Sequence, residues 1–251
     1  MEKQTKYILF DLDGTLVPLS RARFEPALFQ SFDNMFLRQF PDHPEAVAAY
    51  KRACMACFRE TDTSETNEAR LTRLLRQEAG DLAKDILQVL EKHYATDYNE
   101  ISALIQDMSI ADQALVLTEM HGGIPVLATN PISPASCICA RLGWIGIQPR
   151  RFQLITTWDK CHFVKPDSRY YLEILDMLNA QASDCLMIGN DTDEDMEAAM
   201  RAGLHVFLVT DHVMDRRNAI EQYPHGTAEE MLLYLKDYLT QGGQTSWQER
   251  N

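Results

Sequence analysis

Five short apolar segments, separated by stretches of helical periodicity, constrain the fold of this chain more than any other feature. The first, Tyr7–Phe10, is continuously apolar, as expected of a strand that is buried on both faces. The others are Ile124–Ala128, Phe152–Thr156, Cys185–Ile188 and His205–Val209. Strands that alternate with crossover helices form a parallel, doubly wound sheet, so we predict an α/β fold.

Capping residues indicate where several of the intervening helices begin. Asp167 is placed to cap a helix that runs through Leu178. Thr227 and Glu230 have the spacing of a capping box, which predicts the start of the last helix. A further helix is expected from about Asp193, where acidic residues favour a helix N-terminus.

A long stretch between the first two predicted strands shows only helical periodicity, as at Leu71 and Leu75. A chain of 251 residues can hold one large core or two unequal ones. We therefore predict that residues 17–110 form a smaller all-helical domain. This helical insert would interrupt a core domain made of residues 1–16 and 111–251.

The charge balance of the chain limits its partners. The sequence holds 24 Lys and Arg against 37 Asp and Glu, a net charge of −13. This excess repels a nucleic-acid backbone, so we expect no nucleic-acid partner. A small phosphorylated ligand would meet the same repulsion unless a bound cation or a few basic side chains reversed the local field.

No membrane partner is expected either. Met1–Tyr7 is charged and polar, unlike a signal peptide, and no apolar stretch of about 20 residues follows. The six cysteines are scattered, which favours reduced thiols. We predict a cytoplasmic protein that is a monomer or a homodimer.

Polar residues with catalytic chemistry stand at or beyond the ends of the first four predicted strands. They are Asp11 and Asp13, Thr129 and Asn130, Lys165, and Asp191 and Asp195. Such groups gather at the carboxyl ends of parallel strands, so we expect one shared cleft. Two carboxylates ~4 Å apart repel by about 4 kcal/mol at an effective dielectric near 20, so the cleft needs raised pKa values or a divalent cation. Oxygen ligands suit Mg²⁺.

These residues resemble the four motifs of the haloacid dehalogenase superfamily, in the same order. The matching segments are Asp11–Leu16, Thr129 at the end of its strand, Lys165 before Pro166, and Gly189–Asp195. The resemblance spans residues 7 to about 209. It implies a Rossmann-like core, a helical cap inserted after the first motif, and magnesium-dependent phosphatase chemistry.

The resemblance also implies a role for each matching residue. Asp11 would attack phosphorus and form an aspartyl phosphate. Asp13 would protonate the leaving oxygen and then activate water. Thr129 and Asn130 would hold phosphate oxygens, and Lys165 would balance the charge of the nucleophile and of the transferring group.

The metal ligands implied by the resemblance are Asp11, the backbone carbonyl of Asp13, and a carboxylate of the fourth motif. Asn190 stands where one common form of that motif carries Asp. The shorter spacing, Asp-x3-Asp, is met by Asp191 and Asp195. We expect Asp191 to bind Mg²⁺ directly and Asp195 to bind it directly or through water, with the role of Asn190 left open.

Three further residues are candidates for substrate binding. Thr15 lies in the nucleophile loop, whereas Arg21 and Arg59 belong to the helical insert, which would close over the strand ends and select the leaving group. The expected substrate is a small phosphorylated metabolite.

Other activities stay open at this point. A dehalogenase would not need Asp13, because a halide leaves without protonation. A phosphomutase similar to β-phosphoglucomutase would pass the phosphoryl group to a second hydroxyl, and nothing in the sequence decides against it. A catalytically idle protein that binds a phosphorylated ligand is the alternative from another class.

Overall fold

The computed structural model describes residues 5–60, 63–105 and 109–241, and its centre is a six-stranded sheet. Every pairing of neighbouring strands is parallel, and the order is β3-β2-β1-β4-β5-β6. The strands are β1 (Tyr7–Phe10), β2 (Ile124–Leu127), β3 (Leu154–Ile155), β4 (Cys185–Gly189), β5 (His205–Val209) and β6 (His225–Gly226). The predicted α/β fold is confirmed.

Two of the strands differ from the prediction. β3 is shorter than Phe152–Thr156, because a 3-10 turn over Pro149–Arg151 runs up to Phe152 and delays the strand. β6 was not predicted. Its two residues, His225 and Gly226, carry no apolar pattern, and they pair with Leu208 and Val209 at the edge of the sheet.

Helices cover both faces of the sheet. Those that precede β2 are α1 (Arg21–Gln39), α2 (Ala46–Arg59), α3 (Asn67–Ala79), α4 (Leu82–Ala95) and α5 (Ala111–Met120), with a 3-10 helix over Asp97–Leu104. Those that follow β2 are α6 (Ala135–Trp144), α7 (Ser168–Leu178), α8 (Ala198–Arg201) and α9 (Ala228–Thr240). Within the described residues, no helix has the length and apolar character needed to cross a membrane.

The predicted helix starts are largely confirmed. Asp167 caps α7 by accepting a hydrogen bond from the N–H of Arg169, and Thr227 and Glu230 form the complete capping box of α9. The helix expected from about Asp193 is instead a π-helix over 192–197 that leads into the short α8.

Successive residues of β1 point to opposite faces of the sheet and enter different apolar clusters. Ile8 and Phe10 pack in a cluster with Phe36 of α1 and Leu75 of α3, whereas Leu9 packs in a second cluster on the other face. Helices of the insert therefore share a core with the sheet. The division into domains at residues 17 and 110 stays a prediction. Residues 1–4, 61–62, 106–108 and 242–251 of the predicted domains lie outside the described part of the chain.

Candidate active site

The carboxyl ends of three neighbouring strands bring Asp11, Thr129 and Asn190 to one edge of the sheet. β1 lies between β2 and β4. The backbone N–H of Asp11 donates to the carbonyl of Ile188 at 2.9 Å, and Ala128 is bonded to β1 in the same way at 2.8 Å. The ladder thus continues to the residues that carry the motifs, and it fixes their spacing.

Lys165 joins the first and fourth motifs. Its ammonium nitrogen lies 2.8 Å from Oδ1 of Asp11 and 2.6 Å from Oδ1 of Asp195. Burial opposes the charge of this lysine, but Asp11 and Asp195 outweigh burial and hold the pKa of Lys165 well above its usual range. Burial also raises the pKa of Asp11, and the nearby Lys165 opposes that rise.

Both carboxylate oxygens of Asp195 accept hydrogen bonds from other residues of the protein. Oδ1 accepts the bond from Lys165, and Oδ2 accepts the backbone N–H groups of Asn190 and Asp191 at 3.0 and 3.1 Å. A Cβ atom on Gly189 would lie 2.2 Å from Oδ2 of Asp195, so glycine is needed there. This geometry suits a residue that holds the loop and Lys165 in place better than a direct metal ligand.

Asp191 begins the π-helix of the fourth motif. Its Oδ1 accepts the N–H groups of Asp193 and Glu194 at 2.8 and 2.9 Å. Arg216, in the loop after β5, donates to both oxygens of Asp191 at 3.1 and 2.9 Å. The carbonyl of Asp191 accepts from the N–H of Asp195 at 3.0 Å and from the N–H of Met196 at 3.1 Å. The second of these bonds spans five residues, which is the pattern of a π-helix.

Asn190 supports the loop that follows Asp11. Its amide nitrogen donates to the carbonyl of His212 at 2.7 Å, and a Cβ atom on Gly14 would lie 2.2 Å from that nitrogen. Gly14 has a φ of +85°, which glycine adopts without strain. The contacts of Asn190 are those of a residue that packs against the first motif.

Asp13 follows Asp11 on the same loop, and it is partly exposed where Asp11 is buried. One oxygen of Asp13 accepts a hydrogen bond from Nη1 of the buried Arg141 on α6. The hydroxyl of Thr15 is buried and has no hydrogen-bond partner among the described residues. Thr15 is therefore oriented by the loop and keeps a free donor.

Hydrogen bonds from buried side chains hold the backbone of the loop after β2. The carbonyl of Thr129 accepts from the hydroxyls of Thr156 and Tyr170 at 2.7 and 2.9 Å. The side-chain oxygen of Asn130 accepts from the backbone N–H of Lys165 at 3.3 Å. These bonds bring the second and third motifs together.

Arg21 and Arg59 lie apart from these contacts. Arg21 is exposed and pairs with Glu25 on its own helix. Arg59 is exposed at the end of α2, where it lines an open cavity of about 600 Å³ with Lys51 and Arg52. Within the described residues, no hydrogen bond or ion pair joins either arginine to the strand-end residues. Their binding role stays a prediction.

Three residues near the site were missed by the sequence reasoning. Glu194 belongs to the acidic residues from about Asp193 that are expected only to favour a helix N-terminus, and it lies 3.5 Å from the amide nitrogen of Asn130. Burial raises its pKa to about 7, with added repulsion from Asp191 and Asp195. The other two are Arg141 and Arg216, and no local pattern marks them, because each meets its carboxylate only through the tertiary fold.

The oxygen donors of the site fit magnesium. Asp11 and Asp191 supply carboxylates, and Asp13 supplies a backbone carbonyl on the same loop. Among the residues described, no three His, Cys, Asp or Glu side chains converge on one point. Asp195 is directed at Lys165 and Asp191 at Arg216, so Asp191 would exchange its contact with Arg216 for the ion when Mg²⁺ binds. Mg²⁺ is commonly held by only one or two carboxylates together with water and substrate phosphate, so this donor set is sufficient.

Comparison with known proteins gives a family match over most of the chain. The family model described as "haloacid dehalogenase-like hydrolase" matches residues 5–203. No curated protein matches the sequence.

Solved structures share the fold at low sequence identity. A phosphatase from Thermococcus onnurineus is 18% identical, with a TM-score of 0.56, over 96% of this chain and 99% of its own. A 2-haloacid dehalogenase from Pseudomonas syringae is 16% identical, with a TM-score of 0.58, over 92% and 98%. A predicted phosphoglycolate phosphatase from Haemophilus somnus is 18% identical, with a TM-score of 0.56, over 93% and 99%. At these identities the likeness supports the fold and does not choose among activities.

Proposed function

The chain belongs to the haloacid dehalogenase-like hydrolases, and from this premise we propose that it is a magnesium-dependent phosphatase of small phosphorylated metabolites. The observation that carries the proposal is the pairing of two different carboxyl groups on one loop. Asp11 is buried and held by Lys165, whereas Asp13 is partly exposed two residues away. A nucleophile and a proton donor need these different surroundings.

In the proposed reaction, Asp11 attacks phosphorus and forms an aspartyl phosphate. Asp13 gives a proton to the departing oxygen, and then takes a proton from the water that cleaves the aspartyl phosphate. Dehalogenation needs no such proton donor, so Asp13 favours phosphate chemistry. Lys165 offsets negative charge on Asp11 and on the transferring group.

Thr129 and Asn130 are the proposed phosphate-binding residues of the second motif, with the free hydroxyl of Thr15 as a further donor from the nucleophile loop. The proposed magnesium ligands are Asp11, the Asp13 carbonyl and Asp191. Asp195, whose oxygens accept from Lys165 and from two backbone N–H groups, is proposed to reach the ion through water. Bound Mg²⁺ would supply positive charge that lets an acidic cleft accept a phosphate dianion.

The helical insert, residues 17–110, is proposed to act as the cap that covers this cleft and selects the leaving group. Its α3 reaches the strand-end loops, since the N–H groups of Asn67 and Glu68 donate to the carbonyls of Cys161 and Trp158. A lid in this position would exclude water from the aspartyl phosphate until Asp13 is ready to activate one molecule.

The test is release of inorganic phosphate from 4-nitrophenyl phosphate and from a panel of phosphorylated metabolites, with and without Mg²⁺. We expect Mg²⁺-dependent turnover by the wild type and none by Asp11→Asn. Transfer of the phosphoryl group to a second sugar hydroxyl, without net phosphate release, would indicate a mutase. Tight binding of a panel member without turnover would indicate an idle binding protein.

A further inference from the structure

Arg141 is the residue outside the four motifs that bears most directly on the proposed chemistry. It lies on α6 and is buried, with 5% of its surface exposed. Its Nη1 donates to Oδ2 of Asp13, and within the described residues this is its one ion pair. The inference below rests on the proposed function, because it concerns how Asp13 is presented to a substrate.

The surroundings of Arg141 leave it dependent on Asp13. Burial lowers the pKa of Arg141, but Asp13 reverses that effect and holds the pKa above its usual range. The other groups that add to the rise, Tyr98, Cys137 and Tyr94, are not carboxylates. Its Nε is buried without a hydrogen-bond partner among the described residues. An arginine does not lose its proton in proteins, so a buried guanidinium needs an anion close by. Asp13 is that anion.

The same contact restricts Asp13. Its side chain is 31% exposed, so without a tether it could turn between the cleft and solvent. Arg141 engages Oδ2, and no hydrogen bond to Oδ1 is found in the described part of the chain. One oxygen is therefore held and the other is open for a proton transfer.

The position of α6 explains why this arginine can serve the site. α6 begins at Ala135, a few residues after Asn130 of the second motif. The helix that follows the proposed phosphate-binding loop thus also contacts the proposed acid and base.

We infer that Arg141 is a positioning residue, which orients the carboxyl group of Asp13 toward the leaving oxygen. Such a role gives a signature that a merely structural role does not. Departure of 4-nitrophenolate needs little help from an acid, whereas departure of unsubstituted phenolate needs more. If Arg141 orients Asp13, the loss of activity on removing Arg141 should therefore depend on the leaving group.

The experiment compares kcat/KM for 4-nitrophenyl phosphate and phenyl phosphate, two substrates of similar size. General acid–base groups contribute roughly 10²- to 10⁴-fold, so Arg141→Met should lower kcat/KM about 10-fold or more on phenyl phosphate. On 4-nitrophenyl phosphate the loss should stay within about 3-fold. Arg141→Lys can supply one N–H donor and should recover part of the phenyl phosphate activity. Arg151→Met, which removes a paired arginine near the surface, should leave the ratio between the substrates unchanged.

Equal losses on both substrates, or no loss at all, would overturn the inference. Thermal melting shows whether each variant is folded. If Arg141→Met does not fold, Arg141→Gln decides by the same ratio, and a ratio equal to that of the wild type counts against the role. A wild type that hydrolyses neither substrate refutes the proposed function, and the inference is then rejected with it. An active wild type with an unchanged ratio in the variants rejects the inference alone.

Discussion

Lys165 lies 2.8 Å from Asp11, although 154 positions separate them in the sequence. The same ammonium group reaches Asp195 at 2.6 Å. One buried cation therefore holds together the first, third and fourth motifs. Because Asp195 in turn accepts the N–H groups of Asn190 and Asp191, the position of the proposed metal-binding loop depends on this lysine.

Lys165→Met leaves Asp11 and Asp195 buried without their cation. We expect the free energy of unfolding to fall by about 3 to 5 kcal/mol in urea denaturation without Mg²⁺. The double variant Lys165→Met, Asp195→Asn should recover part of this loss, because one of the stranded charges is removed while an amide oxygen can still accept the N–H groups of Asn190 and Asp191. Lys160→Met changes an exposed lysine nearby and should stay within about 0.5 kcal/mol of wild type. Equal stability of the two single variants would contradict the account.

In Gly189→Ala the added Cβ atom would lie 2.2 Å from Oδ2 of Asp195, which is closer than the two atoms can approach. Asp195 must shift, and with it Lys165. The expected cost is about 1 to 3 kcal/mol of stability, together with loss of phosphatase activity. Gly143→Ala is the matched control, since its added Cβ meets no atom within 4 Å. Equal melting temperatures and equal activities of Gly189→Ala and Gly143→Ala would show that Asp195 does not need glycine at position 189.

Glu194 should make the stability of the metal-free protein depend on pH. Burial raises the pKa of Glu194 from its ordinary value of 4.5 to about 7, and Asp191 and Asp195 add to the rise. The folded state then binds this proton more tightly than the unfolded state. Stability is therefore lost as pH rises from about 4.5 to about 7. The measurement is the difference in free energy of unfolding between wild type and Glu194→Gln across this interval, which cancels other titrating groups. A difference that does not change with pH would rule the effect out.

Arg70 should affect the residues proposed to bind the phosphoryl group, whereas Arg141 should affect the departure of the leaving group. Arg70 donates to the carbonyl of His162 at 3.0 Å, and it holds Asn67, whose amide donates to the carbonyl of Pro131 at 3.0 Å. These carbonyls lie close in sequence to Lys165 and Asn130. Small displacements of catalytic groups are costly, so Arg70→Met should lower kcat/KM about 10-fold or more.

That loss should be equal for 4-nitrophenyl and phenyl phosphate, since both present the same phosphoryl group. The control is Arg73→Met. Arg73 lies one turn further along α3, where it forms partly exposed ion pairs with Glu60 and Glu65, and this variant should behave like wild type. A loss confined to one substrate would show that Arg70 acts on the leaving group instead.

Local patterns predicted much of the fold. The bounds of β5 and the capping box of α9 match the prediction, because apolar runs and cap spacing are properties of neighbouring residues. β6 could not be predicted, since its two residues pair only after β5 has brought a sheet edge to them. The π-helix also escaped prediction, because it depends on how Asp191 is held by Arg216 and by its own helix.

The same difference between local and long-range contacts applies to the site. Residues at strand ends could be nominated, because a parallel sheet gathers them at one edge. The partners of these residues could not, since Arg141 meets Asp13 across 128 positions and Arg216 meets Asp191 across 25. Such contacts depend on helix packing and loop conformation, and these leave no short-range signal.

In the proposed reaction Asp11 carries the phosphoryl group during turnover, and this step can be tested directly. Wild type mixed with a ³²P-labelled aryl phosphate and Mg²⁺, then quenched in acid within a turnover, should yield labelled protein. The label should map to the peptide that contains Asp11 and should be absent from Asp11→Asn. Turnover by wild type without labelled protein, or label that persists in Asp11→Asn, would show that Asp11 is not the nucleophile.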